Sequence, residues 1–385
     1  MNETHRHAIV ASTVFDGVAG HEDCAAIIEG SRIAGLVPRQ ELPDAMPTTV
    51  LPEGACLAPG FIDIQCNGGG DILLNDDPSP AAMNAIARAH RQFGTTSLLP
   101  TLITDTREKM RAALAAANEA AAANPSILGI HLEGPFISPE KAGAHSRAFI
   151  REPVAEDLEM LTAPRRGATL VTLAPERVPA GFIASLVNSG VRVSLGHSMA
   201  TYEETKAAMA EGLTGFSHLF NAMRAIASRD PGPVPAALKS PEAWFSMIVD
   251  NEHVHPAVLR LAVRSSAHPI LITDAMPPVG GNKTAFTLYG EEIAVRGGRC
   301  ERADGTLSGA TLDMASAVRN CIELLGERLP WALRFASAEP ARFLGLDNEL
   351  GRIAEGFRAD LVALDPNSLR IYGSWVAGEY APGAG

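Results

Sequence analysis

Histidine and carboxylate side chains follow successive short apolar segments in the middle of the chain. The set comprises His131, Glu133, His197, His218, Asp250, His253 and Asp274. A single histidine after a strand is more often a hydrogen-bonded core residue than a ligand, and a single aspartate is usually a turn former. Burying so many polar groups together is costly without a metal ion or a substrate. The joint pattern therefore indicates a catalytic site.

Glu133, His197 and His218 have the residue types of a catalytic metal site. One carboxylate and two imidazoles form a three-ligand set that leaves a position open for water. A bound divalent cation lowers the pKa of that water to roughly 7 and polarises a carbonyl oxygen. Asp274 would take the proton from the water during attack and pass it to the leaving group. The ligand types suit zinc first, with iron or cobalt as alternatives.

Apolar segments that alternate with helix candidates would position these residues. The strand candidates are residues 61–66, 96–103, 126–133, 169–176, 191–197, 214–220, 244–250 and 269–275. Helix candidates rich in Ala, Leu, Glu and Arg lie between most of them, for example 81–93, 106–123, 201–211 and 256–267. Near-continuous apolar strands that alternate with helices predict a parallel sheet covered on both faces.

The eight strand–helix units between residues 61 and 275 predict an α/β fold of the (β/α)8 TIM-barrel type. The carboxyl ends of all strands in a barrel open at one mouth, so residues distant in sequence meet there. An open doubly wound sheet is the alternative, but no GxGxxG fingerprint follows the first strand. Residues 284–309 predict a β-hairpin insertion, and helices follow near 313–325 and 330–344.

Both ends of the chain contain short β-like runs separated by turns such as Asp16-Gly17 and Glu29-Gly30. We therefore predict a small β-sandwich-like domain built from residues 1–58 and 350–385. Residues 59–349 would form the metal-dependent barrel domain that carries the catalytic residues.

The net charge of −12 and the pI of about 5.4 argue against nucleic acid or an anionic membrane as partner. An anionic small substrate would need a local cluster of cations. The five scattered cysteines form no CxxC pair, so they offer neither a disulfide framework nor a thiolate zinc site. We find no secretory signal and no apolar stretch long enough to span a membrane. These observations predict a cytoplasmic protein.

A series of short motifs extends along the whole chain. They are APGFIDIQCNGGG, HLEGPFIS, KAGAHSRAF, VTLAPE, LGHSMATYEE, SHLFNAM, DNEHV, ITDAM, GTLSGATLDM and GRIAEGFRADLVALD. In this order they resemble the N-acetylglucosamine-6-phosphate deacetylases of the amidohydrolase superfamily. The resemblance implies a metal-dependent enzyme that removes the N-acetyl group from an amino-sugar phosphate and releases acetate and glucosamine 6-phosphate. Another N-acyl amino-sugar phosphate, such as the galactosamine epimer, is the alternative substrate.

The resemblance also implies roles for individual residues. Glu133, His197 and His218 match the metal ligands of the family, and Asp274 matches its catalytic acid/base. His145, in the sequence GAHS, matches a second catalytic residue that hydrogen-bonds the acetyl carbonyl or the sugar.

The implied substrate-binding residues are Ala144, His145, Asn221, Ala222, Arg229, His253, Leu307, Ser308 and Gly309. Arg229 and His253 would provide the cations that a phosphate group needs on an acidic protein. Arg229 would act in its own subunit or in the site of a neighbouring subunit, and we expect a homodimer. The loop DNEHV departs from the more usual Asp-Gly-x-His-Val pattern, because Asn251 replaces a glycine and adopts positive φ less easily. Glu252 in the same loop adds a negative charge near the expected phosphate.

Gln65 and Asn67 occupy the positions at which two-metal relatives have a His-x-His pair. Neutral amides are poor ligands for a zinc-class ion beside imidazole. We therefore expect these two residues near the metal site but not as ligands, with one divalent metal ion per subunit. A sugar-phosphate binding protein that has lost catalysis is the alternative from another functional class. The intact Glu133 and Asp274 argue against it.

Overall fold

Eight strands form the barrel that the sequence predicts. The computed structural model describes residues 6–384. The barrel strands are Phe61–Cys66, Thr95–Ile103, Gly129–Glu133, Ala168–Leu173, Arg192–Leu195, Gly215–Phe216, Trp244–Met247 and His268–Leu271, and each borders the next. From Thr95–Ile103 onward every neighbouring pair is parallel. The prediction of a (β/α)8 barrel is therefore confirmed, and the doubly wound alternative is wrong.

The barrel closes between its first strand and the segment that follows its last strand. Cys66 and Ala275 form a parallel bridge. The backbone N–H of Asp274 donates to the carbonyl of Gln65 over 3.0 Å, and the N–H of Asn67 donates to the carbonyl of Ala275 over 3.0 Å. This closure brings the first and last strand ends of the barrel side by side.

Several strands are shorter than the apolar runs that predicted them. The run 214–220 contains the strand Gly215–Phe216, and the run 269–275 contains residues of the strand His268–Leu271. His218 and Asp274, near the ends of these runs, adopt positive φ angles of 32° and 49°. A left-handed residue cannot continue an extended strand, so the chain turns at these functional positions.

The six helices for which the sequence predicts a start begin within one residue of that position. The α-helices of the described residues are Pro80–Arg91, Arg107–Ala123, Ala155–Thr162, Phe182–Asn188, Tyr202–Ala210, Val234–Leu238, Pro256–Ala262, Met314–Glu323, Leu329–Ala336 and Ala338–Leu344. Thr106 caps its helix by accepting from the N–H of Lys109, and Thr201 forms a capping box with Glu204. The predicted helix 330–344 is two helices, because Pro340 has no N–H with which to continue the first one.

Strands from both ends of the chain join in one eight-stranded sheet, which confirms that prediction. Its strands are Arg6–Phe15, Gly20–Glu29, Arg32–Pro38, Thr48–Val50, Cys56–Pro59, Leu361–Leu364, Ile371–Val376 and Glu379–Pro382. The two ends meet where Cys56–Pro59 pairs antiparallel with Leu361–Leu364. Buried side chains such as Ile28, Leu57 and Leu361 form its core.

The predicted hairpin insertion is a four-stranded antiparallel sheet. Its strands are Ala285–Leu288, Glu291–Arg296, Arg299–Glu301 and Leu307–Ala310. Its apolar face packs in a cluster that includes Phe286, Leu288 and Ile293. The sequence had indicated the β structure but not the number of strands.

The chain contains two compact units, one of which consists of Ile64–Ile86 and Leu98–Leu312. The predicted domain boundaries after residue 58 and before residue 350 stay a prediction. Among residues 6–384, we find no helix with the length and apolar character of a membrane span. Residues 1–5, which belong to the stretch searched for a secretory signal, lie outside the described residues.

Candidate active site

A cavity of about 380 Å³ lies at the carboxyl ends of the barrel strands. Every site residue predicted from the sequence lines this cavity except Gln65 and Arg229. Gln65 is buried directly beside it, whereas Arg229 is exposed on the surface of its own chain. The barrel thus brings the predicted metal, catalytic and sugar-contacting residues together.

Glu133, His197 and His218 converge on one point of the cavity. The Oε1 atom of Glu133 lies 3.1 Å from Nε2 of His197 and 2.8 Å from Nε2 of His218. The two histidine Nε2 atoms are 3.2 Å apart, and all three side chains are buried. Burial alone would raise the pKa of Glu133, but the adjacent imidazole groups of His197 and His218 hold that pKa well below its usual range.

The hydrogen bonds of His197 determine which of its nitrogens can bind a metal. Its Nδ1 lies 2.7 Å from the backbone carbonyl of Lys141, which can only accept, so Nδ1 carries the proton. In the tautomer with a proton on Nδ1 alone, Nε2 of His197 presents a lone pair to the Glu133 carboxylate. Two such acceptors in contact repel unless a cation lies between them. The three side chains therefore fit a divalent metal ion, and the hydrogen bond from Nδ1 of His197 to a backbone carbonyl is typical of metal-binding histidines.

His145 presents an N–H group to the same site. The backbone N–H of Thr104 donates to Nδ1 of His145 over 3.3 Å, so the ring proton is on Nε2. This Nε2 lies 3.9 Å from Oε2 of Glu133. Burial and the nearby His197 lower the pKa of His145 well below its usual value. His145 is thus a neutral hydrogen-bond donor that lines the cavity beside Glu133.

Asp274 is held by the two amide side chains at the end of the first barrel strand. Asn67 Nδ2 donates to Oδ1 of Asp274 over 2.6 Å, and Gln65 Nε2 donates to the same oxygen over 3.2 Å. Burial and the negative charge of Glu133 raise the pKa of Asp274, while the Asn67 hydrogen bond opposes that rise. The amides that replace a His-x-His pair therefore orient the carboxylate, and both contacts leave its Oδ2 available.

Backbone strain is concentrated at this site. His197, His218, Ala222 and Asp274 have φ angles of 50°, 32°, 49° and 49°. Non-glycine residues rarely adopt positive φ, and such strain persists where the surrounding structure fixes it for function. Each turn directs the side chain from the strand end into the cavity.

The last strand of the insertion sheet forms one wall of the site. The N–H of Ala310 donates to the carbonyl of Asp274, and the N–H of Met276 donates to the carbonyl of Ala310, both over 2.9 Å. Gly309 has a φ of 69°, and a Cβ there would lie 2.5 Å from Cγ of Met276. Glycine is therefore required for this close approach. The pairing places Leu307, Ser308 and Gly309 against Asp274.

The DNEHV loop directs His253 into the cavity and Glu252 away from it. Asp250 accepts from the N–H groups of Glu252 and His253, and its Oδ2 lies 2.6 Å from Nδ1 of His253. Asn251 takes the positive φ of 64° that the turn needs. Glu252 forms an ion pair with Arg299 at 3.0 Å. This ion pair offsets the negative charge of Glu252 near the expected phosphate position.

Some residues that line the cavity were not predicted from the sequence. Ile103, Ile248 and Met276 line the cavity, but an apolar residue after a strand has the same pattern as any core residue. Lys141 also lines it and holds His197 through its carbonyl. Its place in the same loop as GAHS was the signal that could have indicated it. His131 points elsewhere in the barrel, where its Nε2 lies 2.7 Å from Oγ1 of Thr172.

We predict that Asn67→Ala moves the acid limb of the pH dependence of kcat/KM to higher pH by about one unit. Loss of the amide donor raises the pKa of Asp274 further, and the ionised carboxylate that accepts a proton then forms only at higher pH. Gln65→Ala, which removes the longer hydrogen bond, should give a smaller shift. An unchanged acid limb in Asn67→Ala would contradict this interpretation.

Comparisons with known proteins agree with the geometry. Residues 56–381 match the model of the amidohydrolase family. An N-acetylgalactosamine-6-phosphate deacetylase from Shewanella sp. (strain ANA-3) is 40% identical over 93% of this chain and 91% of its own. An N-acetylglucosamine-6-phosphate deacetylase from Haemophilus influenzae is 33% identical over 97% and 99%. The crystal structure of the N-acetylglucosamine-6-phosphate deacetylase from Pasteurella multocida superposes with a TM-score of 0.94 at 33% identity, covering 98% of this chain and 100% of that one. The chain therefore belongs to the amidohydrolase family.

Proposed function

We propose that the protein hydrolyses N-acetylglucosamine 6-phosphate to glucosamine 6-phosphate and acetate. The observation that carries this proposal is the convergence of Glu133, His197 and His218 in one cavity with Asp274. The names of the relatives from Haemophilus influenzae and Pasteurella multocida support the substrate. A cavity of about 380 Å³ also has the size of a site for one small ligand.

Asp274 and His145 would have different roles in such a hydrolysis. Asp274 would accept a proton from the attacking water while the water oxygen adds to the acetyl carbon. His145 would donate its Nε2 proton as a hydrogen bond to the carbonyl oxygen, where negative charge develops. Asp274 would then deliver the proton to the nitrogen as the C–N bond breaks, which yields the free amine and acetate.

We further propose that Glu133, His197 and His218 hold one divalent metal ion, with zinc first and iron or cobalt as alternatives. When bound, the ion would supply Lewis acidity that polarises the amide carbonyl and lowers the pKa of water. Support for a single ion comes from Gln65 and Asn67, whose amide nitrogens donate to Asp274 and whose neutral amides are poor ligands for a zinc-class ion beside imidazole.

Metal analysis of protein purified without chelator should find one ion per chain. Replacing both His197 and His218 by alanine should reduce the content to near zero, because two of the three ligands are lost. Gln65→Ala is the matched control and should retain one ion. Two fully occupied ions in an active preparation would contradict the proposed single site.

The direct test of function is acetate release from N-acetylglucosamine 6-phosphate by the metal-loaded enzyme. Asp274→Asn keeps the hydrogen-bonding shape but cannot accept the proton, so we expect kcat to fall by about 100-fold or more. Substrate binding by this variant, measured by calorimetry, should persist. Absence of acetate release by the wild-type enzyme with any of the three metals would refute the proposed activity.

N-acetylgalactosamine 6-phosphate is a second candidate substrate. The relative from Shewanella, named for that activity, is 40% identical to this chain, against 33% for the relative from Haemophilus influenzae. The two sugars differ only in the configuration of one hydroxyl group, which a hydrogen-bonding site can discriminate strongly. The ratio of kcat/KM for the two epimers in the same assay decides between them.

We propose that Arg229 binds the substrate phosphate of a neighbouring subunit in a homodimer. Within its own chain Arg229 is exposed and does not line the cavity, whose basic residues besides His145, His197 and His218 are Lys141 and His253. A phosphate dianion beside Glu133 and Asp274 needs further positive charge. Arg229 of a second subunit would provide that charge through its guanidinium group.

Mixed dimers test this arrangement. Arg229→Ala alone should raise KM for the phosphorylated substrate, and Asp274→Asn alone should be inactive. Coexpression of the two variants with different tags gives dimers in which an intact Asp274 meets Arg229 of the other subunit. These dimers should recover low KM at about half of the wild-type kcat per dimer, since one site of two is complete. No recovery would show that Arg229 acts within its own subunit.

A cytoplasmic location is part of the proposal. Among the described residues the five cysteines are all buried and form no disulfide, as is usual for proteins of a reducing compartment. The net charge of −12 disfavours nucleic acid and anionic membranes as partners.

A further inference from the structure

We propose that Arg224 is a positioning residue that holds Arg229 in place through an ion pair with Asp230. The inference rests on the role proposed above for Arg229 in phosphate binding. It assigns the neighbouring pair a share in substrate affinity, although Arg224 and Asp230 lie outside the cavity lining.

Each of the three guanidinium nitrogens of Arg224 has a partner. Its Nε donates to Oδ2 of Asp230 over 2.6 Å, and its Nη2 lies 2.5 Å from the same oxygen. Its Nη1 donates to the backbone carbonyl of Met199 over 3.0 Å. Because Asp230 directly follows Arg229, a fixed Asp230 side chain restricts the backbone from which Arg229 projects.

Met199, whose carbonyl accepts from Arg224, is itself held by a hydrogen bond. Glu176 accepts from the N–H of Met199 over 2.5 Å and from Oγ of Ser198 over 2.8 Å. The N–H of Arg224 donates to the carbonyl of Ser198 over 3.0 Å. Arg224 therefore joins the exposed segment to the loop that directly follows the metal-site residue His197.

The segment between the paired residues has few other supports. Residues 225–229 are all exposed. Backbone hydrogen bonds in both directions between Ala227 and Asp230, of 2.9 and 3.3 Å, close a tight turn. Gly232 approaches Arg224 so closely that a Cβ would lie 2.9 Å from its carbonyl oxygen. The ion pair therefore links the start of this segment to its end.

Loss of the pair should reduce the fraction of time that Arg229 spends in its binding position. The apparent dissociation constant of the substrate rises in inverse proportion to that fraction. The effect should depend on the phosphate group, because Arg229 contacts no other part of the substrate in this proposal. A merely structural defect would instead impair turnover of phosphorylated and unphosphorylated substrates alike.

The first test measures KM and kcat for N-acetylglucosamine 6-phosphate and for N-acetylglucosamine. Arg224→Ala and Asp230→Ala should each raise KM for the phosphorylated sugar about fivefold. They should leave kcat within about twofold, and kcat/KM for the unphosphorylated sugar unchanged. The double variant should be no worse than either single variant, since the two act as one pair. Arg224→Lys should rescue part of the effect by restoring the charge.

Arg111→Ala is the matched control. Arg111 pairs with Glu156 at 2.6 Å, both side chains are half exposed, and neither lines the cavity. Its loss should change neither KM. If Arg229→Ala raises KM but Arg224→Ala and Asp230→Ala do not, the inference is wrong while the proposed role of Arg229 stands. If none of the three raises KM, both proposals are wrong.

The second test separates action through Arg229 from a local effect on the nearby Asn221 and Ala222. In dimers of Arg224→Ala with Asp274→Asn, the active site receives Arg229 from the subunit with an intact pair, so KM should be low. In dimers of wild type with a chain carrying both substitutions, the active site receives the unsupported Arg229, so KM should be high. The reverse order of KM values, or failure of the two chains to copurify, would overturn the inference.

Discussion

The close contact of Glu133 with His197 and His218 is the interaction on which the rest of the site depends. A buried carboxylate and two imidazole nitrogens lie within 3.2 Å of one another. Positive charge at the centre of this cluster stabilises it, because it offsets the burial of the carboxylate. The carbonyl of Lys141 and the positive φ angles of His197 and His218 fix the geometry of the cluster.

Opposing effects act on the pKa of Asp274 in the same cavity. Burial and the charge of Glu133 favour its protonated form, whereas Asn67 stabilises the carboxylate by a hydrogen bond. Neutral amides at the end of the first strand can do this without attracting a second cation. The return of the insertion sheet to Asp274, through the backbone of Ala310, closes the wall around the reacting groups.

The negative charges in the cavity explain why an arginine on the molecular surface would contribute to phosphate binding. Glu133 and Asp274 both disfavour a phosphate group, and the basic side chains that line the cavity with them are Lys141, His145, His197, His218 and His253. An arginine that projects from an exposed loop is useful only if that loop has a defined position. The chain from Glu176 through Met199 and Arg224 to Asp230 gives the loop such a position by hydrogen bonds and one ion pair.

The sequence by itself determined the barrel, the β sheet from both chain ends and the residue types of the metal site. Apolar runs and their spacing are local properties, and His197 or His218 after such a run is visible without coordinates. Only the tertiary structure decided that Gln65 and Asn67 hold Asp274, that Glu252 pairs with Arg299 and that Lys141 orients His197. These contacts join residues that are 47 to 209 positions apart in the sequence. The direction of each side chain depends on barrel closure and on left-handed turns, which no local sequence pattern encodes.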